Sequence, residues 1–135
     1  MSNREATRPQ QSVDTRAFLW FMAGDQRLSR RARRAIEESD GEWWLSAASV
    51  WELSIKWSLG RLTLPAPVEE YIAGKVRLGL RVLSVDWPHA AAVERLPFHH
   101  RDPFDRLLIA QAQSDRLAIV TKGDVFGRYG VDVVW

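Results

Sequence analysis

The 135-residue sequence contains no cysteine, which excludes disulfide bonds and thiolate metal sites. No apolar run approaches the roughly 20 residues that a membrane-spanning helix needs, and the polar N-terminus lacks the apolar segment of a secretory signal. Internal repeats and low-complexity tracts are also absent. These absences predict a soluble, cytoplasmic protein with no membrane contact. Its length suits one domain, which would bury about two-thirds of the unfolded surface.

Charge and aromatic content are unevenly distributed along this chain. The formal net charge is only +2, but five arginines fall within residues 27–34. Such a basic segment suits a polyanion, although pairing with the acidic residues at 37–40 is an alternative. The seven tryptophans are many for this length and indicate core and interface surface.

Short apolar runs alternate with helical patterns along most of the sequence. A polar tail is expected over residues 1–11 and a single domain over residues 12–135. Strands are predicted near residue 13 and at 43–45, 81–85, 117–121 and 131–134, and helices at 15–23, 29–38, 46–57, 68–78, 88–95 and from 103 onward, with a helical turn at 122–128. This alternation is typical of an α/β domain whose parallel sheet carries helices on both faces.

Four acidic residues lie at corresponding places in this pattern. Asp14 ends the first strand, Glu52 lies in the first turns after the second, and Asp124 follows the fourth. Asp105 opens the helix that starts at Pro103 and runs back toward the fourth strand. Because ligands bind at the carboxyl edge of a parallel sheet, we expect these four side chains to converge there.

Helix capping and helical ion pairing are an alternative explanation of each acidic residue taken singly. The features concerned are Asp14 and Asp102 as N-caps, Asp105 as the reciprocal capping acid, Ser49 with Glu52 as a capping box, and Lys56 as the ion-pair partner of Glu52. Capping does not explain why the acids share one edge. Two carboxylates about 4 Å apart repel by roughly 4 kcal/mol, so a cluster needs protons or a divalent cation. Oxygen ligands favour Mg²⁺ or Mn²⁺, and such an ion supports phosphodiester hydrolysis.

Four segments carry a resemblance to a known family. They are Asp14-Thr15 with the apolar Leu19-Trp20, residues 46–52 (SAASVWE), residues 99–112 (HHRDPFDRLLIAQA), and Val120-Thr121 with Phe126 and Tyr129-Gly130. Together they resemble the PIN-domain family, more narrowly the VapC-type toxins, from about residue 13 to the end. The resemblance implies a three-layer α/β/α fold with about five parallel strands. It also implies a Mg²⁺- or Mn²⁺-dependent endoribonuclease toxin of a toxin–antitoxin system, inhibited by a VapB-like antitoxin and dimeric.

Site residues carried over from this resemblance are Asp14, Glu52 and Asp105 as catalytic acids and metal ligands. Asp124 is a fourth metal ligand displaced by one residue, because the family's usual position is Gly123 here. The residues predicted to contact substrate are Arg16, Arg106, Lys122, Thr15 and Ser46, and those predicted to bind a partner, with burial in the core as the alternative, are Phe18, Trp20, Phe21, Trp51 and Trp57.

Two further features leave alternatives open. Adjacent His99 and His100 are interpreted as turn residues, with phosphate donation as the alternative. The polar residues 10–12 and Gly123 support a second hypothesis, in which a PIN-like module binds RNA or a partner protein without cleaving RNA.

Overall fold

The computed structural model describes residues 10–135, which form a parallel sheet flanked by helices. The sheet has five strands in the order β3-β2-β1-β4-β5. The strands are β1 (Gln11–Val13), β2 (Trp43–Ser46), β3 (Val82–Leu83), β4 (Ala118–Val120) and β5 (Val133–Val134). The helices are α1 (Thr15–Ala23), α2 (Arg30–Glu37), α3 (Ala47–Ser58), α4 (Val68–Arg77), α5 (Trp87–Ala92) and α6 (Pro103–Asp115), with 3₁₀ segments at Val93–Arg95 and Asp124–Tyr129. The predicted five-stranded parallel α/β fold is therefore confirmed.

The central strand β1 is more polar than its position suggests. Its backbone pairs with β2 on one side and β4 on the other, and its first two residues, Gln11 and Ser12, are buried. Residues 1–9 of the predicted tail lie outside the described residues. The tail prediction is wrong at Gln11, because pairing along both edges holds this residue in the sheet whatever its polarity.

Two apolar clusters cover the faces of the sheet. In β4, Ile119 belongs to one cluster and the adjacent Val120 to the other, and consecutive strand side chains point to opposite faces. Phe18 of α1 and Ile36 of α2 pack into the cluster that contains Val120. The sheet is therefore the middle layer of the predicted α/β/α arrangement.

Polar side chains fix where three of the helices begin. Asp14 caps α1 by accepting a hydrogen bond from the Ala17 N–H, Ser46 caps α3, and Asp102 caps α6. The predicted Ser49 cap is wrong because α3 starts three residues earlier, which leaves Ser49 buried inside the helix. Helix α1 ends at Gly24, whose positive φ of 64° is accessible to glycine at little cost. In residues 10–135 no helix has both the length and the apolar character to cross a bilayer.

Candidate active site

A pocket of about 210 Å³ opens at the carboxyl edge of the sheet, a volume several times the ~30 Å³ of one water in liquid. Three of the four predicted acids, Asp14, Glu52 and Asp105, line it together with Asp102. They come from the end of β1, the second turn of α3 and the start of α6. The predicted convergence is therefore confirmed for these three acids.

Asp14 is a cap and a pocket residue at once. Its Oδ1 accepts from the Ala17 N–H at 2.7 Å, and its backbone N–H donates to the Val120 carbonyl at 3.0 Å. Burial raises the pKa of the Asp14 carboxyl, and hydrogen bonds from the Thr121 hydroxyl and the Ala17 N–H only partly oppose this rise. The capping hydrogen bond therefore does not fully offset the cost of burying the charged Asp14 carboxylate.

Glu52 has a partner for each oxygen of its carboxylate. The Thr15 hydroxyl, 2.8 Å from the Ser49 hydroxyl, donates to Oε1 at 2.7 Å. Lys56 Nζ lies 3.0 Å from Oε2, which confirms the predicted i,i+4 ion pair. The side chain is mostly buried, so Thr15 and Lys56 hold it at the pocket wall rather than in solvent.

Asp105 is a second acid of the pocket whose negative charge the protein does not balance. Burial and, to a smaller extent, the nearby carboxylates of Asp102, Asp14 and Glu52 together raise its pKa to about 7, against the opposing charge of Arg16. Its backbone N–H donates to Asp102 Oδ1 at 2.9 Å. Asp102 is thus the cap of α6, and the Asp105 side chain faces the other acids.

The donor set suits a hard divalent cation by its chemistry. Only oxygen ligands are offered by Asp14, Glu52 and Asp105, and two of these carboxyls have raised pKa values, so negative charge here is not balanced by the protein. In residues 10–135 no three carboxylate or histidine side chains are yet close enough to share one ion. To bind an ion, Glu52 would have to give up its contact with Thr15 or with Lys56.

Basic residues lie on the same rim, although one predicted contact is wrong. Arg16, Lys56 and Lys122 line the pocket and are exposed. Arg106 is only 4% exposed. Its guanidinium donates to the carbonyls of Pro97 and Leu96, at 2.8 and 3.2 Å, and to other acceptors of the same loop. Arg106 therefore stabilises the loop before α6 and is not available to phosphate.

Two other predicted site residues also lie outside the pocket lining. Ser46 is fully buried, where its hydroxyl caps α3 and bonds to the Gln111 side chain, so it cannot contact substrate. Asp124 is exposed and begins the 3₁₀ segment, whereas Gly123 lines the pocket. A Cβ atom added at Gly123 would lie 3.0 Å from the Phe126 ring. The ring thus occupies the space that a side chain at position 123 would need.

The predicted partner-binding aromatics divide between core and surface. Phe18 and Trp20 are buried, because α1 is covered on most sides, so their prediction as partner contacts is wrong. Phe21 and Trp57 are half-buried against the same core. Trp51 is 58% exposed and packs edge-on against Phe104, with ring centroids 5.1 Å apart. Trp51 stays a candidate for partner binding.

One member of the site and one network behind it are not predicted from the sequence. Thr121 is buried directly after β4, and its hydroxyl bonds to Asp14 and accepts from the Gly123 N–H. A hydroxyl residue at the carboxyl end of a central strand was the signal for it. The network joins His100, Tyr129 and Arg106, and no sequence spacing points to it.

Comparison with known proteins agrees with this architecture. The model of the PIN domain family matches residues 12–132, and the chain belongs to the PIN domain family. Ribonuclease VapC22 of Mycobacterium tuberculosis is 32% identical over 111 residues, which cover 82% of this chain and 84% of that protein. Ribonuclease VapC16 of the same organism is 38% identical over 60 residues, 44% of this chain and 43% of its own length. The resemblance to VapC-type proteins is confirmed.

Solved structures share the fold at low sequence identity. The DNA-bound VapBC structure from Salmonella typhimurium aligns with a TM-score of 0.69 at 17% identity, covering 93% of this chain and 96% of that one. VapBC2 from Rickettsia felis, bound to a promoter DNA fragment, aligns with a TM-score of 0.66 at 10% identity over 91% and 96% of the two chains. These likenesses establish the α/β/α fold.

Proposed function

We propose that this protein is an endoribonuclease toxin that hydrolyses RNA phosphodiesters with Mg²⁺ or Mn²⁺ and is inhibited by a VapB-like antitoxin. The observation that carries the proposal is the convergence of Asp14, Glu52 and Asp105 in one pocket, with raised pKa values at two of them. The 32% identity to a relative named ribonuclease VapC22 supports the same activity. The cytoplasm, as the compartment of cellular RNA, is the expected location.

The residues of the pocket have three different proposed roles: binding the ion, attracting RNA and positioning Glu52. Asp14, Glu52 and Asp105 would hold the ion, which when bound supplies an activated water and offsets charge on the phosphate. Exposed Arg16 and Lys122 at the rim attract the RNA backbone by their positive charge. Lys56 and Thr15 fix Glu52 at the wall through its two oxygens.

Cleavage of structured RNA tests the activity directly. Purified protein is incubated with RNA and Mn²⁺, Mg²⁺ or EDTA, beside Asp14→Asn, Asp105→Asn and the control Asp132→Asn, whose side chain is exposed and outside the pocket. Cleavage is expected for the wild type and the control with either ion, and none for the two pocket variants. Equal cleavage by all four proteins would indicate a contaminating nuclease and refute the assignment.

A second candidate function is RNA or protein binding without cleavage. It is favoured by the absence of the predicted fourth ligand, Asp124, from the pocket lining, since Phe126 occupies the space beside Gly123. RNA binding without cleavage under every ion, unaffected by Asp105→Asn, would support it.

The proposed antitoxin and a homodimer need separate experiments. The VapBC complexes among the structural neighbours support an antitoxin partner, and Trp51 with Phe104 offers exposed aromatic surface for it. Trp51→Ala should weaken capture of a co-expressed antitoxin without changing RNA cleavage. Light scattering of the purified protein gives the oligomeric state.

A further inference from the structure

The Tyr129 hydroxyl is the centre of a small network behind the pocket. It accepts a hydrogen bond from the His100 backbone N–H at 3.2 Å and from Arg106 Nη1 at 3.2 Å. His100 Nδ1 lies 2.8 Å from the same oxygen. Tyr129 itself is buried, so water does not complete these bonds freely.

The donors and acceptors of this network determine where the imidazole proton lies. A backbone N–H and a guanidinium can only donate, so among these three partners only His100 Nδ1 can accept the Tyr129 hydroxyl proton. Nδ1 is therefore unprotonated, and the ring proton of neutral His100 is on Nε2.

The protonated nitrogen points toward the candidate active site. Nε2 of His100 is buried and has no hydrogen-bond partner among the described residues, and Asp105 Oδ2 lies 3.4 Å from it. A donor with no acceptor, next to a carboxylate with too few donors, needs only a small side-chain movement to form a hydrogen bond.

We infer that His100 is a positioning residue whose tautomer, set by Tyr129, directs an Nε2–H donor at Asp105 Oδ2 and so orients this carboxylate in the pocket. The inference rests on the proposed function for its effect on catalysis, but the tautomer is independent of activity. Hydrogen-bond partners of metal-ligating side chains typically contribute 10- to 100-fold to affinity or rate. The effect is expected in kcat, because His100 is behind Asp105 and does not line the pocket.

Nitrogen-15 NMR of the ion-free protein tests the tautomer. Long-range ¹H–¹⁵N correlations of the three histidines are assigned by comparing the wild type with His100→Gln and His99→Asn. The Nε2–H pattern is expected for His100 in the wild type, with a shift toward the other tautomer in Tyr129→Phe. An Nδ1–H pattern in the wild type would overturn the inference.

Two isosteric substitutions separate positioning from packing. The amide nitrogen of His100→Gln can replace Nε2, whereas that of His100→Asn can replace only Nδ1. We expect His100→Asn to lower kcat about 10- to 100-fold with little change in KM, and His100→Gln to recover most of that loss. His99→Asn, an exposed neighbour, is the matched control and should behave as wild type.

The outcomes distinguish this inference from the proposed function. Equal kcat for His100→Asn and His100→Gln, with unchanged melting temperatures, would refute positioning even if the protein is a ribonuclease. If the wild type cleaves no RNA, the proposed function fails while the NMR result still decides the tautomer. Circular dichroism of all variants shows whether a lost rate reflects unfolding.

Discussion

Replacing Asp105 by asparagine should stabilise the protein while it abolishes the proposed activity. The carboxyl is partly buried near three other acids, and its pKa is raised from 3.8 to about 7. Asparagine has nearly the same size and carries no charge. The substitution therefore removes an unfavourable charge and leaves the packing at the start of α6 unchanged.

The size of the effect follows from the pKa. A rise from 3.8 to about 7 corresponds to about 4 kcal/mol at 1.36 kcal/mol for each pH unit. The side chain keeps 33% of its exposure, so solvent screening reduces the expected gain to about 2 kcal/mol. This gain is a substantial part of the typical unfolding free energy of a domain, which is about 5–15 kcal/mol.

The stability difference between Asp105→Asn and the wild type depends on pH. Below pH 3.8 the carboxyl is protonated in both the folded and the unfolded chain and contributes nothing. Between pH 3.8 and about 7 the unfolded chain releases its proton while the folded protein keeps it, so wild-type stability falls as pH rises. Above pH 7 the penalty is constant. The advantage of Asp105→Asn should thus grow from near zero at pH 4 to its full value at pH 8.

Urea unfolding followed by tryptophan fluorescence measures this difference. The experiment is done at pH 4, 6 and 8 in EDTA, with Asp132→Asn as the exposed control. The control should stay within about 0.5 kcal/mol of wild type at each pH. An Asp105→Asn protein that is less stable than wild type at pH 8, or a difference that does not change with pH, would refute the reasoning.

Three further predictions concern the same site and its support. Mn²⁺ at 100 times its Kd should raise the wild-type unfolding free energy by about 2.7 kcal/mol at pH 8 and leave the Asp105 variant unchanged, as measured in the same titration. Arg106→Met should lower the unfolding free energy by about 3–6 kcal/mol, because its two closer carbonyl bonds to a charged group contribute about 1.5–3 kcal/mol each. Replacing the exposed neighbour, Arg101→Met, should lower it by less than about 0.5 kcal/mol. Loss of RNA binding in Arg106→Met without loss of stability would restore Arg106 as a phosphate contact. Gly123→Ala should lower the unfolding free energy by about 1–3 kcal/mol, because the added methyl group displaces the Phe126 ring. Gly127→Ala should not destabilise the protein, because no atom lies within 4 Å of the added Cβ. Equal melting temperatures of the two variants would contradict this account.

Much of the fold is predictable because it depends on local apolar patterning. The strands β2 and β4 are short apolar runs, and the helices between them have clear capping and terminating residues. The alternation then fixes a parallel sheet by itself. The exception is β1, where Gln11 and Ser12 are polar and buried. Their place depends on backbone pairing with both neighbours, which side-chain patterns do not reveal.

The candidate site is predictable in its acids but not in its support. Topology alone brings Asp14 and Glu52 to one edge. The role of Arg106 depends on carbonyls contributed by a preceding loop, and an arginine next to two acids is usually a surface residue. Burial of Trp20 likewise reflects the cover that Trp135 provides, with ring centroids 5.9 Å apart. Contacts between distant segments decide both cases.

Capping and metal binding are not competing explanations of these acids. A helix that follows a parallel strand starts at the carboxyl edge of the sheet, so an N-cap residue there is also a pocket residue. Asp14 makes its capping bond at 2.7 Å and still has a raised pKa, whereas Asp105 leaves capping to Asp102. A satisfied cap would have a lowered pKa, because N–H donors favour the ionised form. The raised values therefore identify charge that capping does not balance, and this residual charge is what a divalent cation would offset.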